Sequence, residues 1–227
     1  MYAVMRLLLA ASVAAVLLAS PPAWAERIWD AELKRFLTPQ EIGQEDIYLT
    51  EDEAARLMFP KSERIAKEVI QLTSEQKKVI EDRIGWHFPE NNFDVYVGKT
   101  GAQIDGYGVV QNTIGKHKPI TYMVGVDPAG EVLNIEVLIY RESRGSEVRT
   151  KRFNAQYEGK TLFDPIRMNK DIINISGATM SVRSLSAGVK RSLVMVDELY
   201  LKPIGRGSDS VEARRREKGF FGNLFGF

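Results

Sequence analysis

The 227-residue chain contains no cysteine. That absence excludes disulfides, a lipoprotein acylation site, iron–sulfur ligation and c-type haem attachment within this chain. Its two histidines, His87 and His117, stand far apart and without the carboxylate spacing of metal ligands, so no metal site is expected. Neither sign of charge is in excess: 31 Lys and Arg stand against 30 Asp and Glu, interspersed along the chain. Nucleic-acid binders concentrate positive charge on one face, and no nucleic-acid partner is expected here. Long apolar runs are also scarce. The main one, Leu7 to Ala19, is short for the roughly 20 residues that span a bilayer, and Ser20-Pro21-Pro22 interrupts it.

That run follows Arg6 and precedes Ala23-Trp24-Ala25, so residues 1–25 read as a cleavable secretory signal. The mature protein is then expected to be extracytoplasmic, in the periplasm, and to begin at Glu26. Cleavage removes one base, Arg6, and no acid, leaving 202 residues of zero formal charge.

Residues 26–92 read as a mainly helical N-terminal region. Thr38-Pro39-Gln40-Glu41 has a cap residue before a helical Pro. Thr50 with Glu53, and Thr73 with Gln76, are spaced as capping boxes, with Pro60 and Gly85 as terminators. Ile65 to Leu72 suits either a short helix or an edge strand. From Phe93 the apolar period becomes two. Phe93-Val95-Val97, Ile104 to Val110, Ile120 to Val126 and the series Leu133, Ile135, Val137, Ile139 predict an antiparallel meander, with Asp127-Pro128-Ala129-Gly130 as a turn. A short helical segment follows around Thr150 to Tyr157, ending at Gly159. The last long helix carries Val182, Leu185, Val189, Leu193, Val196 and Tyr200 on one stripe. The fold class is therefore α+β: an antiparallel sheet packed by helices, with a helical N-terminal extension. A domain over 93–203 is followed by a basic, then aromatic tail over 204–227.

Between the apolar run Ile172 to Ile175 and the last helix lies Ser176-Gly177-Ala178-Thr179, which reads as a strand-to-helix junction. A helix start offers unpaired N–H groups and partial positive charge, and small residues let the backbone approach an anion. The same four residues also suit an ordinary helix cap. Their context narrows the choice. Ser176 to Thr179, with Met180-Ser181 after them, resemble the Ser/Thr-Gly-Ala-Thr-x-Ser/Thr signature of the FMN-binding domain family. The likeness extends through Tyr140 to Ser143, Gly145 to Arg149, Phe153, Gly159-Lys160, Lys170 to Ile172 and Gly188 to Arg191, covering about Phe93 to Pro203.

The resemblance implies an exported electron-transfer protein whose FMN is linked through its phosphate to Thr179 by a flavin transferase that uses FAD. Redox partners would be a membrane electron-transfer complex or a cytochrome. Ser176 and Ser181 become candidate donors to phosphate or ribityl oxygens, and Gly177, Ala178 and Met180 lie in the turn whose amides would receive the phosphate. Glu142 and Glu147 are candidates for the polar edge of the ring system. Arg183 and Lys190 read as solvated rather than phosphate-binding, His117 as part of a surface turn, and His87 as packing beside Trp86 and Phe88. One position departs from the family pattern: the Asp expected six residues before the acceptor threonine is Ile173, flanked by Asp171 and Asn174. Alternatives to the carrier are an FMN-dependent reductase of a small substrate and a flavin-free binding or assembly module. The tail is a candidate for membrane-surface contact.

Overall fold

The computed structural model describes residues 29–30, 34–38, 45–142 and 145–208. The signal sequence, the helix expected from Pro39 and all but the first five residues of the tail lie outside them. Two short strands, β1 (Trp29–Asp30) and β2 (Arg35–Phe36), pair with each other. A six-stranded antiparallel sheet forms the centre, built from β3 (Asp46–Ile47), β4 (Arg64–Gln71), β5 (Asn92–Thr100), β6 (Gln103–Ile114), β7 (Pro119–Val126) and β8 (Val132–Tyr140) in the order β3-β8-β7-β6-β5-β4. The α+β class holds. The ambiguous stretch from Ile65 is the edge strand β4, so the region before Phe93 supplies strands as well as helices.

Both capping boxes form. Thr50 accepts from the Glu53 amide at the head of α1 (Glu51–Met58), and Thr73 from the Gln76 amide at the head of α2 (Ser74–Ile84); the Glu53 and Gln76 side chains bond back to the cap amides. Gly85 ends α2 at φ 82°, a left-handed conformation that glycine adopts without a Cβ clash. A short helix α3 (Lys151–Asn154) precedes the last long helix α4 (Thr179–Val196). The chain then continues through a π-turn at Asp197–Leu201.

The helices cover both faces of the sheet. On one face α4 buries Val182, Leu185, Val189, Leu193 and Val196 against Tyr107, Val109, Tyr122, Val124 and Ile135. Each such side chain contributes on the order of 1.5–3 kcal/mol by leaving water. On the other face α1 packs Ala54, Ala55 and Met58, with Phe59, on Tyr96, Val110, Met123, Leu138 and Ile139. Close approach needs glycine at two places. A Cβ on Gly125 would lie 2.1 Å from Met58 Sδ, and one on Gly188 would lie 1.7 Å from Tyr122 Oη.

Strand β8 departs from the simple alternation. Gly125 faces Asn134 and Val126 faces Val132, leaving Leu133 as an extra residue; Thr121 faces Ile139 and Tyr122 faces Val137, leaving Leu138 as another. Each bulge shifts the phase of the strand by one. Ile135 and Val137 therefore face α4, Ile139 faces α1, and Leu133 is 37% exposed. The four do not share one face.

Candidate functional site

The residues upstream of the signature do not form a strand. Asp171 accepts from the amides of Ile166 at 3.0 Å and Arg167 at 2.8 Å, which folds this segment into a tight turn. Ile172 is buried at 1% exposure, whereas Ile173 is 75% exposed. The segment is a loop-to-helix junction, because its carboxylate-to-amide bonds favour a turn over a ladder. Gly177 then takes φ 83° and directs the chain into α4.

At the head of α4 the N-cap is Ala178, which has no side-chain cap hydrogen bond. The ordinary-cap reading is thus not what the structure forms. The amides of Thr179, Met180 and Ser181 have no acceptor among the described residues, and Val182 N–H is the first to close a helical bond, to Ala178 O at 2.9 Å. Thr179 Oγ1 accepts from Asn174 Nδ2 at 3.1 Å. The Asn174 Oδ1 atom is buried with no partner. Uncapped amides, a helix N-terminus and an oriented hydroxyl together suit a phosphate.

These groups form one wall of an open cleft of about 580 Å³, lined by Gly177, Ala178, Thr179, Met180 and Ser181. Lys116, His117 and Glu142 line the other side. The first wall is fixed from behind. A Cβ on Gly145 would lie 2.7 Å from Ala178 Cβ. Ser184 Oγ donates to Ile114 O, which ties α4 to the end of β6, and Ser181 Oγ lies 3.5 Å from Tyr140 Oη. Burial raises the Tyr140 phenol pKa, and the Ser181 bond opposes the shift; Tyr140 stays a neutral phenol at neutral pH.

The sequence candidates separate accordingly. Gly177, Ala178, Thr179, Met180, Ser181 and Glu142 meet at the cleft. Ser176 is exposed but does not line it, and Glu147 lies in the 3-10 turn Ser146–Arg149, also away from its lining. Lys190 is not solvated: its Nζ donates to Leu162 O at 2.6 Å and Asp164 O at 3.1 Å, pinning a loop, and burial lowers its pKa. Arg183 is exposed. His87 does not pack with its neighbours; its side chain is 90% exposed, with Nδ1 2.7 Å from Glu81 Oε2. His117 lies in the exposed turn between β6 and β7, as read from the sequence, and also borders the cleft.

Two buried arginines escaped sequence reading. Arg141 places Nε 2.8 Å from Glu45 Oε1 and Nη1 3.0 Å from Thr121 Oγ1, fixing the chain just before Glu142. Arg191 donates from Nε to Gln111 Oε1 at 2.6 Å. Its guanidinium lies 5.2–5.3 Å from the ring centroids of Trp86, Phe88 and Phe93. Among the described residues no cluster of three or more His, Asp or Glu side chains is placed to hold a metal. No described helix is long and apolar enough to cross a membrane.

Residues 115–194 match the family model of the FMN-binding domain. This segment, which holds the Lys116–Lys118 turn, the signature and most of α4, is what resembles the FMN-binding domain, and the resemblance read from the sequence stands on it. The chain is 25% identical over 144 residues to one of the subunits of the Na(+)-translocating ferredoxin:NAD(+) oxidoreductase complex of Acetobacterium woodii. The match spans 59% of this chain and 66% of that relative, a little under two thirds of its length. Among solved structures, Shewanella oneidensis NqrC aligns with a TM-score of 0.42 at 15% identity, over 68% of this chain and 84% of that one. A subunit of the Na(+)-translocating NADH-quinone reductase of Parabacteroides distasonis aligns with a TM-score of 0.37 at 17% identity, over 56% and 78%.

Proposed function

We propose that the chain is an exported electron-transfer subunit that carries FMN joined through its phosphate to Thr179. The single observation that supports this most is the head of α4. There a hydroxyl, three acceptor-free amides and a φ-positive glycine, with open space for 4 Å around the place a Cβ would take, converge on one cleft. Such a donor set fits the phosphodiester that joins FMN to Thr179: the amides point partial positive charge at it, and Gly177 leaves room for its oxygens.

In the attachment step Thr179 Oγ displaces AMP from the FMN phosphorus of FAD. The new O–P bond forms as the pyrophosphate bond breaks, and the hydroxyl proton passes to a base of the transferase. Asn174 suits both ends of that step. Its Nδ2 donates to Oγ1, and an ester oxygen, which has lost its hydrogen, still accepts that bond. The bound flavin would supply the one- and two-electron chemistry. This chain's residues hold the phosphate, orient the acceptor and shape the two walls of the cleft.

The A. woodii relative is named as part of a Na(+)-translocating oxidoreductase complex. Similarity to it supports redox partners that are subunits of a membrane electron-transfer complex; a cytochrome is the alternative partner. The apolar run with its Ala-Trp-Ala site supports export, and the basic-aromatic tail supports contact with a membrane surface.

The test is the intact mass of the exported protein produced with its transferase. A mass above the chain from Glu26 by one FMN phosphoester, lost in Thr179→Ala, is expected. An unmodified chain would favour a flavin-free module, and flavin retained covalently by Thr179→Ala would move the attachment elsewhere.

A further inference from the structure

Glu142 reads from the sequence as a partner for the flavin's polar edge, but its carboxylate is already engaged. Glu142 Oε1 accepts from the His117 amide at 2.6 Å and the Lys118 amide at 3.0 Å. Gly115 N–H donates to Lys118 O at 2.8 Å, closing the turn between β6 and β7. Gly115 also makes room for the clamp, since a Cβ there would lie 2.8 Å from Glu142 Oε1. Glu142 is in turn anchored by its neighbour Arg141, whose side chain is 1% exposed and paired with Glu45 at 2.7 Å. A hairpin turn that would otherwise swing in solvent is thereby fixed at the mouth of the cleft. Lys116 and His117, both exposed, are held on the wall that faces the head of α4.

We propose that Glu142 is a positioning residue which fixes the Lys116–Lys118 turn as a cationic wall, and that Lys116 stabilises the negative charge FMN gains on reduction. This rests on FMN occupying the cleft as proposed above. With the phosphate held at Thr179, a flavin in this cleft would share it with Lys116, which lines the same space. Near neutral pH, reduction takes two electrons from the donor protein and about one proton from solvent, so the ring gains one negative charge. A preorganised cation favours the reduced form and raises the midpoint potential. The charged groups facing this space are Lys116, His117 and Glu142, with Lys118 beside them. The two amide hydrogen bonds hold the Glu142 carboxylate without cancelling its charge, and Lys116 and Lys118 together outweigh it, which leaves the wall net cationic.

The test has two arms. In flavinylated protein, Lys116→Gln is expected to shift the oxidised–reduced equilibrium about tenfold toward the oxidised form, ~30 mV for a two-electron couple. Lys116→Arg should keep the wild-type potential, and the flavin mass should be unchanged in both. An unaltered potential in Lys116→Gln, with the flavin mass present, overturns the cationic role and leaves the FMN assignment intact. In the second arm, Glu142→Ala should accelerate amide hydrogen exchange at His117 and Lys118 at least tenfold, in flavin-free and flavin-bearing protein alike. Unchanged exchange overturns the positioning role whether or not flavin is attached. A chain that carries no flavin defeats the FMN assignment, and the potential arm with it, while the exchange arm still decides the clamp.

Discussion

Asn174 Nδ2 donates to the hydroxyl oxygen of Thr179 across 3.1 Å, and the other end of the same amide is buried without a partner. An amide held this way fixes the rotamer of Thr179, the proposed acceptor, and leaves its hydrogen free to depart. Asn174→Leu keeps the volume and removes the donor. A neutral hydrogen bond contributes roughly 0.5–1.5 kcal/mol, so the initial rate of flavin attachment should fall about 2- to 10-fold with the fold retained. Time-resolved intact mass with limiting transferase measures this. A rate equal to wild type would mean that the transferase, not Asn174, orients Thr179.

The seat of α4 on the sheet depends on Gly188. Alanine is intrinsically favoured over glycine in a helix by about 1 kcal/mol, yet here its methyl would overlap the Tyr122 hydroxyl. That hydroxyl lies 3.3 Å from Ser184 O and 3.5 Å from Leu185 O, so it has little room to retreat. Overpacking of this kind costs about 1–3 kcal/mol, and Gly188→Ala should lower the urea midpoint. Adding Tyr122→Phe should recover part of the loss. No recovery would place the clash elsewhere.

Arg191 is 2% exposed, and Glu90 Oε2, its ionic partner at 3.6 Å, is buried without a hydrogen bond. Burial pulls the guanidinium pKa down, and the Glu90 charge opposes that shift. Arg191→Leu would leave Glu90 and Gln111 without their partner, and breaking a buried pair by removing one member typically costs about 3–5 kcal/mol. The double variant Arg191→Leu, Glu90→Leu should be more stable than the single one. Equal stability of the two, measured by chemical denaturation, would show that the pair is uncoupled.

These cases also show where the sequence is legible. The capping boxes at Thr50 and Thr73 were readable because both partners lie within one turn, and the stripe from Val182 to Tyr200 because its period is local. The face assignment of Ile139 was not, since the bulges at Leu133 and Leu138 are defined only by pairing with β7. Arg141 and Arg191 were missed because arginine is ordinarily exposed; their partners Glu45, Gln111 and Trp86 come from distant segments. The signature around Thr179 was visible as a short motif. The opposing wall was not, because Glu142 reaches the His117 and Lys118 amides only after β7 and β8 have folded beside each other.

Asp171 supports the turn that leads into the signature. Burial tends to raise its pKa, but the amides of Arg167 and Ile166 and the Lys160 ammonium, 2.9 Å away, outweigh it, and the folded value lies below the ordinary 3.8. A depressed carboxylate pKa contributes stability that is fully present above the unfolded value and is lost as pH falls through the folded one. Asp171→Asn should therefore reduce stability at neutral pH and flatten its decline below about pH 4. Melting temperatures of both proteins between pH 7 and the acid limit of folding test this, and parallel curves would argue against the linkage.

The last expectation concerns the tail, whose residues 209–227 lie outside the described structure. Its start is firmly held: the Ser208 amide and hydroxyl each donate to Asp197 at 2.6 Å, and Arg83 donates to Ser208 Oγ at 3.0 Å. Beyond that clamp come Arg214, Arg215, Arg216 and Lys218, then Phe220, Phe221, Leu224, Phe225 and Phe227. Burying one such ring contributes on the order of 1.5–3 kcal/mol, and each basic residue near an anionic surface about 1 kcal/mol more. Together these suffice for reversible membrane attachment. Removing residues 214–227 keeps the Ser208 clamp, so folding and flavin attachment should be unchanged while the protein leaves the membrane fraction. Truncation at Gly207 also removes the clamp, leaves Asp197 with fewer partners, and should lower the melting temperature as well. If full-length and 214–227-truncated proteins partition equally into the soluble fraction, the tail does not anchor the protein.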